Sequence, residues 1–313
     1  MRRRPLMLVN AAAAVVLGTL SLTGCESKMH GFPPPPARPE QTVIAPLGTV
    51  ARLPQTPPDE PSAGFAGLPE RLRQATAQAA EAGAELTVAV LDRTTDKLVT
   101  NANDMTMAIA SVVKLFIADD LLLQVSRGEA TLSPEDRKSL DVMLRASDDS
   151  AAEVFWTRGG GSAIIDRVVA RYRLGSTRPP GDGRWFNTTS TATDLVRYYD
   201  MLLAGTGGLP PDQAAVILTN LAASTPTAPD GMMPGGVYPQ RFGIPEGLYA
   251  EPVAVKQGWM CCVGADWMHL STGVIGPNRR YVMVIGSMQA GSDESARRVI
   301  TSAVKAMFPN GRI

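Results

Sequence analysis

Ser111-Val112-Val113-Lys114 stands where a run of strand-like residues gives way to an apolar-rich helix. At a helix start, positions i and i+3 share a face. A lysine three residues after a serine is therefore placed to take the hydroxyl proton without a histidine. Read this way, the stretch proposes nucleophilic acyl chemistry at Ser111. The spacing alone carries little weight, because Ser302-Ala303-Val304-Lys305 repeats it in a C-terminal helical segment with no supporting residues nearby. The surrounding chain has to decide.

Upstream, residues 69–82 predict a helix stopped by Gly83, followed by β-prone residues 86–92 and 97–100 about a short turn. Met107-Ala108-Ile109-Ala110 leads into Ser111, and residues 112–125 read as a helix covered by its neighbours. Beyond Gly128 the pattern is helical. Ser133-Pro134-Glu135 is a cap with proline at the first helical position, followed by residues 140–145. Ser147-Asp148-Asp149 interrupts, and helical stretches follow at 151–156, 162–172 and 193–203, with a Gly-, Pro- and Thr-rich segment at 174–191. Strands return at 253–256, 267–275 and 281–287, the last two joined by Gly276-Pro277-Asn278, and residues 294–307 close the chain as a helix. This order predicts an α+β fold, with an antiparallel sheet formed by the N- and C-terminal segments and a helical subdomain, about 126–225, inserted between them. A cleft is expected where the two parts meet.

The first residues have the organisation of an export signal. Arg2, Arg3 and Arg4 precede an apolar core at 6–20, and Leu22-Thr23-Gly24-Cys25 resembles the lipobox of bacterial lipoproteins. That resemblance implies cleavage after residue 24 and a lipid on the Cys25 sulfur, so that the protein is attached to the cell membrane and faces outside the cytoplasm. More than one acyl chain would make such anchoring stable. Residues 25–68 carry Pro33-Pro34-Pro35-Pro36 and further prolines to Pro61, the composition of a semi-rigid spacer extending about 3 Å per residue. The folded domain is expected at 69–313.

With 313 residues and 44% hydrophobic content, the chain has material for a sizeable core. Its 30 basic and 30 acidic residues balance, and no basic stripe points to nucleic acid. No metal or other cofactor is expected. The two histidines are His30 in the spacer and His269 in a late strand, which leaves little for a Ser-His-Asp triad or a zinc site. Gly159-Gly160-Gly161 follows a helix rather than preceding one, so it is read as a turn and not as a phosphate loop. Cys261 and Cys262 adjoin each other. The expectation is two separately packed thiols, because successive strand residues face opposite sides, with a vicinal disulfide as the alternative in an exported protein.

From about residue 69 onward, the chain resembles the penicillin-recognising serine enzymes, the class A β-lactamases and D-alanyl-D-alanine carboxypeptidases. Their motifs are S-x-x-K, then S-D-N on the helical part, then K-T-G on a strand. Here Ser111-Val112-Val113-Lys114, Ser147-Asp148-Asp149 and Lys256-Gln257-Gly258 occur in that order. The resemblance implies Ser111 as nucleophile, Lys114 as its base and Ser147 as proton relay to the leaving group. Asp149, Lys256, Gln257, Gly258 and Trp259 would contact substrate, with the backbone amides of Ser111 and Trp259 holding the oxyanion. The competing readings are ordinary ones: Ser111 as a helix cap, Lys114 as a solvated lysine and Ser147-Asp148-Asp149 as a helix start.

The departures from the family pattern bear on activity. Asp149 stands for an asparagine amide that donates to substrate, and an ionised carboxylate cannot donate. It would also favour the charged form of Lys114 and weaken it as a base. Gln257 stands for a hydroxyl residue. Between Ser176 and Thr188, where class A β-lactamases carry the glutamate that activates the deacylating water, the only acid is Asp182. The expectation is therefore a lipid-anchored serine hydrolase or acyltransferase of the cell envelope with weak or no β-lactamase activity, its ligand a peptidoglycan peptide or a β-lactam-like molecule. The alternative is an inactive binding or scaffolding lipoprotein on the same fold.

Overall fold

A computed structural model describes residues 63–313; the signal, the lipobox Cys25 and the spacer up to residue 62 lie outside the described residues. In chain order the elements are α1 (Ala63–Ala66), α2 (Leu68–Glu81), β1 (Ala84–Asp92), β2 (Lys97–Thr100) and β3 (Met107–Ala108). A 3-10 turn, Ala110–Val113, leads to α3 (Lys114–Ser126), α4 (Pro134–Arg145), α5 (Asp149–Arg158) and α6 (Ala163–Tyr172). Next come β4 (Thr189–Ser190), α7 (Ala192–Ala204), α8 (Pro211–Ala222), β5 (Thr227–Pro229), β6 (Val237–Pro239) and α9 (Ile244–Gly247). The chain ends with β7 (Val253–Val263), β8 (Asp266–Ile275), β9 (Tyr281–Ala290) and α10 (Asp293–Met307).

The central sheet has the order β2-β1-β9-β8-β7, antiparallel throughout, so the first and last strands of the folded part become neighbours. Both faces are covered. Leu86, Val88 and Val90 of β1 join a core with Leu72 and Ala75 of α2 and Ile300 and Val304 of α10. Ala89 and Leu91 point the other way, into a larger core with α3 and α7. Side chains alternate between faces, and with both faces dry the strand becomes a nearly continuous apolar run.

The α+β fold, with the helical part between the two sheet segments, is as the sequence predicts. Its borders differ. Residues upstream of Pro69 already belong to the packed domain, because Phe65 and Leu68 are buried and anchor α1 and α2 to the core. The helical part begins with α3 at Lys114 rather than near 126. α8 has no counterpart in the sequence reading; its buried Ala214, Ile217, Leu218 and Leu221 follow the spacing of one helix face, but Ala215 and Val216 between them make a continuous apolar run in the sequence that hides the period.

α3 is covered on all sides, Lys114, Asp119 and Asp120 included. Asp119 is matched by Arg171, Tyr172 and Tyr198, and Asp120 by a two-pronged bond from Arg167 at 2.8 and 2.7 Å. These pairs hold α3, and the turn before it, against α6 and α7. α4 opens with a reciprocal cap between Ser133 and Asp136. β7 extends seven residues past the expected Lys256, running beside the 3-10 turn that carries Ser111. Gly258 permits this approach: a Cβ there would lie 2.6 Å from the Ile109 carbonyl oxygen. Among the described residues, no helix is long and apolar enough to cross a membrane.

Candidate active site

Three elements meet at the junction of the sheet and the helical part. The 3-10 turn and α3 supply Ser111 and Lys114, the segment before α5 supplies Ser147, and β7 supplies Lys256. Ala110, immediately before Ser111, has φ 43°, and Ser147 has φ 54°. Non-glycine residues in this region cost roughly 1–3 kcal/mol each and gather where the surrounding structure forces them.

Lys114 Nζ lies 2.8 Å from Ser111 Oγ. Lys114 is completely buried. Its Nζ also lies 2.7 Å from the Ser147 carbonyl, 3.1 Å from Ser147 Oγ and 2.5 Å from Asp149 Oδ1. An ammonium has three protons to donate, fewer than these four acceptors; a neutral amine has two and a lone pair that can accept from Ser111. Lys256, also buried, places Nζ 2.7 Å from Ser147 Oγ and 3.2 Å from its neighbour's carbonyl at Gln257. The polar chain thus runs Ser111, Lys114, Ser147, Lys256.

Electrostatics favour a neutral base in part. Burial pushes Lys114 below the ordinary lysine range, while the Asp149 charge and hydrogen bond pull it back up. Lys256 is driven well below that range, first by burial and then by repulsion from Lys114. Asp148 caps α5 by accepting from the Ala151 N–H at 2.7 Å; of the adjacent acids Asp149 bonds the lysine, and Asp148 acts on it through its charge.

A pocket of about 460 Å³ opens above Ser111, walled by Ser147, Asp149, Glu153, Trp185 and Trp259. Lys114, Lys256 and Gly258 lie beneath it or behind it. Gln257 departs from the expected substrate contact. Its amide donates to the carbonyls of Gln240 at 3.1 Å and Phe242 at 2.6 Å, securing the segment before α9. Asp182 is spent within its own exposed turn, accepting from Arg184 N at 3.1 Å and Asn187 Nδ2 at 2.8 Å.

Glu153 escaped the sequence reading, and Trp185 is read there only as a core or cleft-wall tryptophan. Glu153 lies four residues after Asp149 on α5, a spacing that puts both carboxylates on one helix face and could have identified it. Trp185 is buried between that carboxylate and the lysine: its indole N–H donates to Glu153 Oε2 at 3.1 Å, and Lys114 Nζ sits 4.8 Å from its ring centre. It reaches the site only through tertiary folding of the 174–191 segment.

On the other wall Tyr238 stacks on Trp259 with ring centres 3.6 Å apart. The Tyr238 hydroxyl meets His269 Nε2 at 2.6 Å and donates to Asp293, which Arg297 also binds. His269 therefore supports the Trp259 wall and takes no part in a serine triad. Among the described residues there is no cluster of His, Cys, Asp and Glu able to hold a metal ion.

The expectation of separate thiols at 261 and 262 is overturned: Cys261 and Cys262 are joined by a disulfide. The strand alternation on which that expectation rested breaks here. The β7–β8 register shifts between Met260 and Val263, and Cys262 has φ 65°, bringing adjacent side chains to one side. Cys261 borders the pocket.

No family model matches the chain. The protein named "Putative lipoprotein LppW" in Mycobacterium tuberculosis (strain ATCC 25618 / H37Rv) is 58% identical over 322 residues, covering 100% of both chains, and its namesake in Mycobacterium bovis is equally similar. Among solved structures, a β-lactamase from Chitinophaga pinensis superposes with TM-score 0.62 at 14% identity, covering 78% of this chain and 98% of that one. PBP-A, as an acyl-enzyme complex of a mutant with penicillin G, gives TM-score 0.62 at 16% identity, covering 78% and 96%. A variant of the last common ancestor of Gram-negative bacterial class A β-lactamase gives 0.59 at 20%, covering 78% and 97%. At such identities the likeness is one of fold.

Proposed function

The chain belongs to the LppW family of lipoproteins and has the class A β-lactamase fold, and from these premises we propose a lipid-anchored serine acyl-enzyme of the cell envelope, slow to acylate and poor at releasing its product. In this reading residues 1–24 are removed, Cys25 carries the lipid, the proline-rich segment spaces the domain from the membrane, and the catalytic domain faces outward. The ligand is a peptidoglycan peptide or a β-lactam-like acyl compound.

The observation that carries the proposal is the 2.8 Å approach of Ser111 Oγ to Lys114 Nζ within a chain that continues to Ser147 and Lys256. In the acylation step, Ser111 Oγ forms a bond to the acyl carbonyl carbon while its proton passes to neutral Lys114. As the bond from that carbon to the leaving atom breaks, the leaving atom takes a proton through Ser147, which Lys114 replenishes. The amides of Ser111 and Trp259 are the assigned oxyanion donors. Water or an acceptor nucleophile then resolves the ester. With Asp182 held in its own turn, that last step has no assigned base in the 174–191 segment, which is the reason for expecting weak or no β-lactamase turnover.

A second reading, a binding or scaffolding lipoprotein, is favoured by one observation: Asp149 lies 2.5 Å from Lys114 and stabilises the ammonium, which cannot act as a base. Treatment of the protein with a fluorescent penicillin and with a serine-reactive phosphonate, followed by intact-mass analysis beside Ser111→Ala, separates the two. A phosphonate adduct lost in Ser111→Ala is expected; no Ser111-dependent adduct with either reagent leaves the binding protein.

A further inference from the structure

The charge lining the pocket points to the kind of acyl group it takes. Two carboxylates face the opening: Asp149, whose side chain is 46% exposed, and Glu153, exposed on the next turn of α5. The cations belong to the buried layer. Lys114 is fully enclosed and engaged with Ser111, Ser147 and Asp149; Lys256 is enclosed behind Ser147. No arginine lines the pocket, and Arg184, beside Trp185, is 70% exposed and faces Asp182 at 3.9 Å. The Gln257 amide, a possible donor to a ligand carboxylate, is spent on two backbone carbonyls. An acyl group bearing a carboxylate would enter against the Glu153 charge and an Asp149 already paired with Lys114, and find no free donor among these side chains.

The remaining walls suit a cation. Trp185, Phe186 and Trp259 border the same space, and aromatic faces attract ammonium groups. Glu153 keeps its carboxylate beside the Trp185 indole, whose N–H donates to it, so acid and ring lie together at one wall. We infer that the pocket accepts acyl groups carrying a cationic centre, which sits between Glu153 and the aromatic walls, and that it discriminates against acyl groups carrying a carboxylate. The inference rests on the acyl-enzyme reading for the chemistry at Ser111, although the charge preference itself is a property of binding. Glu153 is then a specificity-determining residue.

The test uses the full chain in detergent and three thioesters of N-acetylcysteamine with acyl groups of similar length: 4-trimethylammoniobutyryl, its uncharged isostere 5,5-dimethylhexanoyl, and glutaryl. Binding to Ser111→Ala is measured by calorimetry, so no acylation intervenes. The cationic ester is expected to bind about tenfold tighter than its isostere, and the glutaryl ester at least about tenfold more weakly, with both differences shrinking at high salt. Adding Glu153→Gln should cut the cationic preference to about threefold or less while leaving the neutral ester's affinity unchanged. Equal binding of all three, tighter binding of the glutaryl ester, or no binding by any overturns the inference. Phosphonate labelling of Ser111 in the unsubstituted protein is read separately: a charge preference without labelling removes the nucleophile and keeps the pocket, and labelling without a charge preference does the reverse.

Discussion

Asp149 Oδ1 lies 2.5 Å from Lys114 Nζ, so the group positioned to activate Ser111 is bonded to a carboxylate that favours its inactive, protonated form. Burial opposes the Asp149 charge and hydrogen bond, and after them the Asp148 charge, at one nitrogen. The resting state of the site is set by that opposition.

Replacing the carboxylate should therefore release the base. In Asp149→Asn the largest cause that raises Lys114 is removed while burial and the smaller Asp148 charge remain, so the lysine's value falls further. Neutral amine is the active form and exists above that value, so the acid limb of Ser111 labelling should move to lower pH. A displacement of about one pH unit corresponds to about tenfold faster labelling by a phosphonate near neutrality. A pH profile unchanged from the parent would refute the link between these two residues.

Lys256 burdens stability and serves the site. It is buried without a carboxylate bonded to it, its ammonium meeting only Ser147 Oγ and the Gln257 carbonyl. Lys256→Met keeps the volume and removes the cost of burying an amine, so stability should be unchanged or raised by about 1 kcal/mol. Labelling of Ser111 should fall at least about tenfold. Thermal unfolding and labelling rates on the same preparation give both numbers, and a large drop in melting temperature would contradict the first.

His269 should make stability fall on mild acidification. Burial holds it below the ordinary value of 6.5, against the pull of Asp293. The unfolded chain then binds more protons below about pH 6.5, so stability decreases as pH drops from there toward the lowered native value. The slope can reach about 1.4 kcal/mol per pH unit from this one group. Asp293 is raised by burial but lowered more by its bonds to His269, Arg297 and Tyr238, and its own effect begins below its ordinary 3.8, a separate window. Urea midpoints between pH 5 and 8 should show a smaller slope for His269→Gln.

The disulfide predicts a definite chemical result. In protein unfolded without reductant, the peptide containing Cys261 and Cys262 should resist alkylation and be about 2 Da lighter than after reduction, by loss of two hydrogens on bond formation. Because the loop it closes is minimal, reduction should change the unfolding free energy by less than about 1 kcal/mol. Two alkylated cysteines in the unreduced peptide would restore the separate thiols.

Much of the fold was legible because its signals are local. The run of β-prone residues in β1, the cap at Ser133 and the i, i+3 relation of Ser111 to Lys114 each involve only a few neighbouring residues. The order of Ser147 and Lys256 along the chain, set in their elements, was enough to indicate where a site would form. α8 was not legible, because the unbroken apolar run Ala214-Ala215-Val216-Ile217-Leu218 masks in the sequence the one-sided burial the helix has in the fold. Glu153 was accessible in principle, four residues after Asp149, but nothing local marks it as facing a pocket.

By itself, then, the sequence determined most of the succession of elements, the pairing of Ser111 with Lys114, and the acid placed close enough to bond that lysine. The tertiary structure decided the rest. Lys256 meets Ser147 across 109 residues, and Trp185 meets Glu153 across 32, distances over which no helical or strand period operates. Gln257 turns to carbonyls of a segment whose position depends on the packed sheet, and Cys262 reaches Cys261 only because β7 bulges there. Local geometry placed Ser111 beside Lys114; only packing could put two carboxylates and two indoles around the space above them.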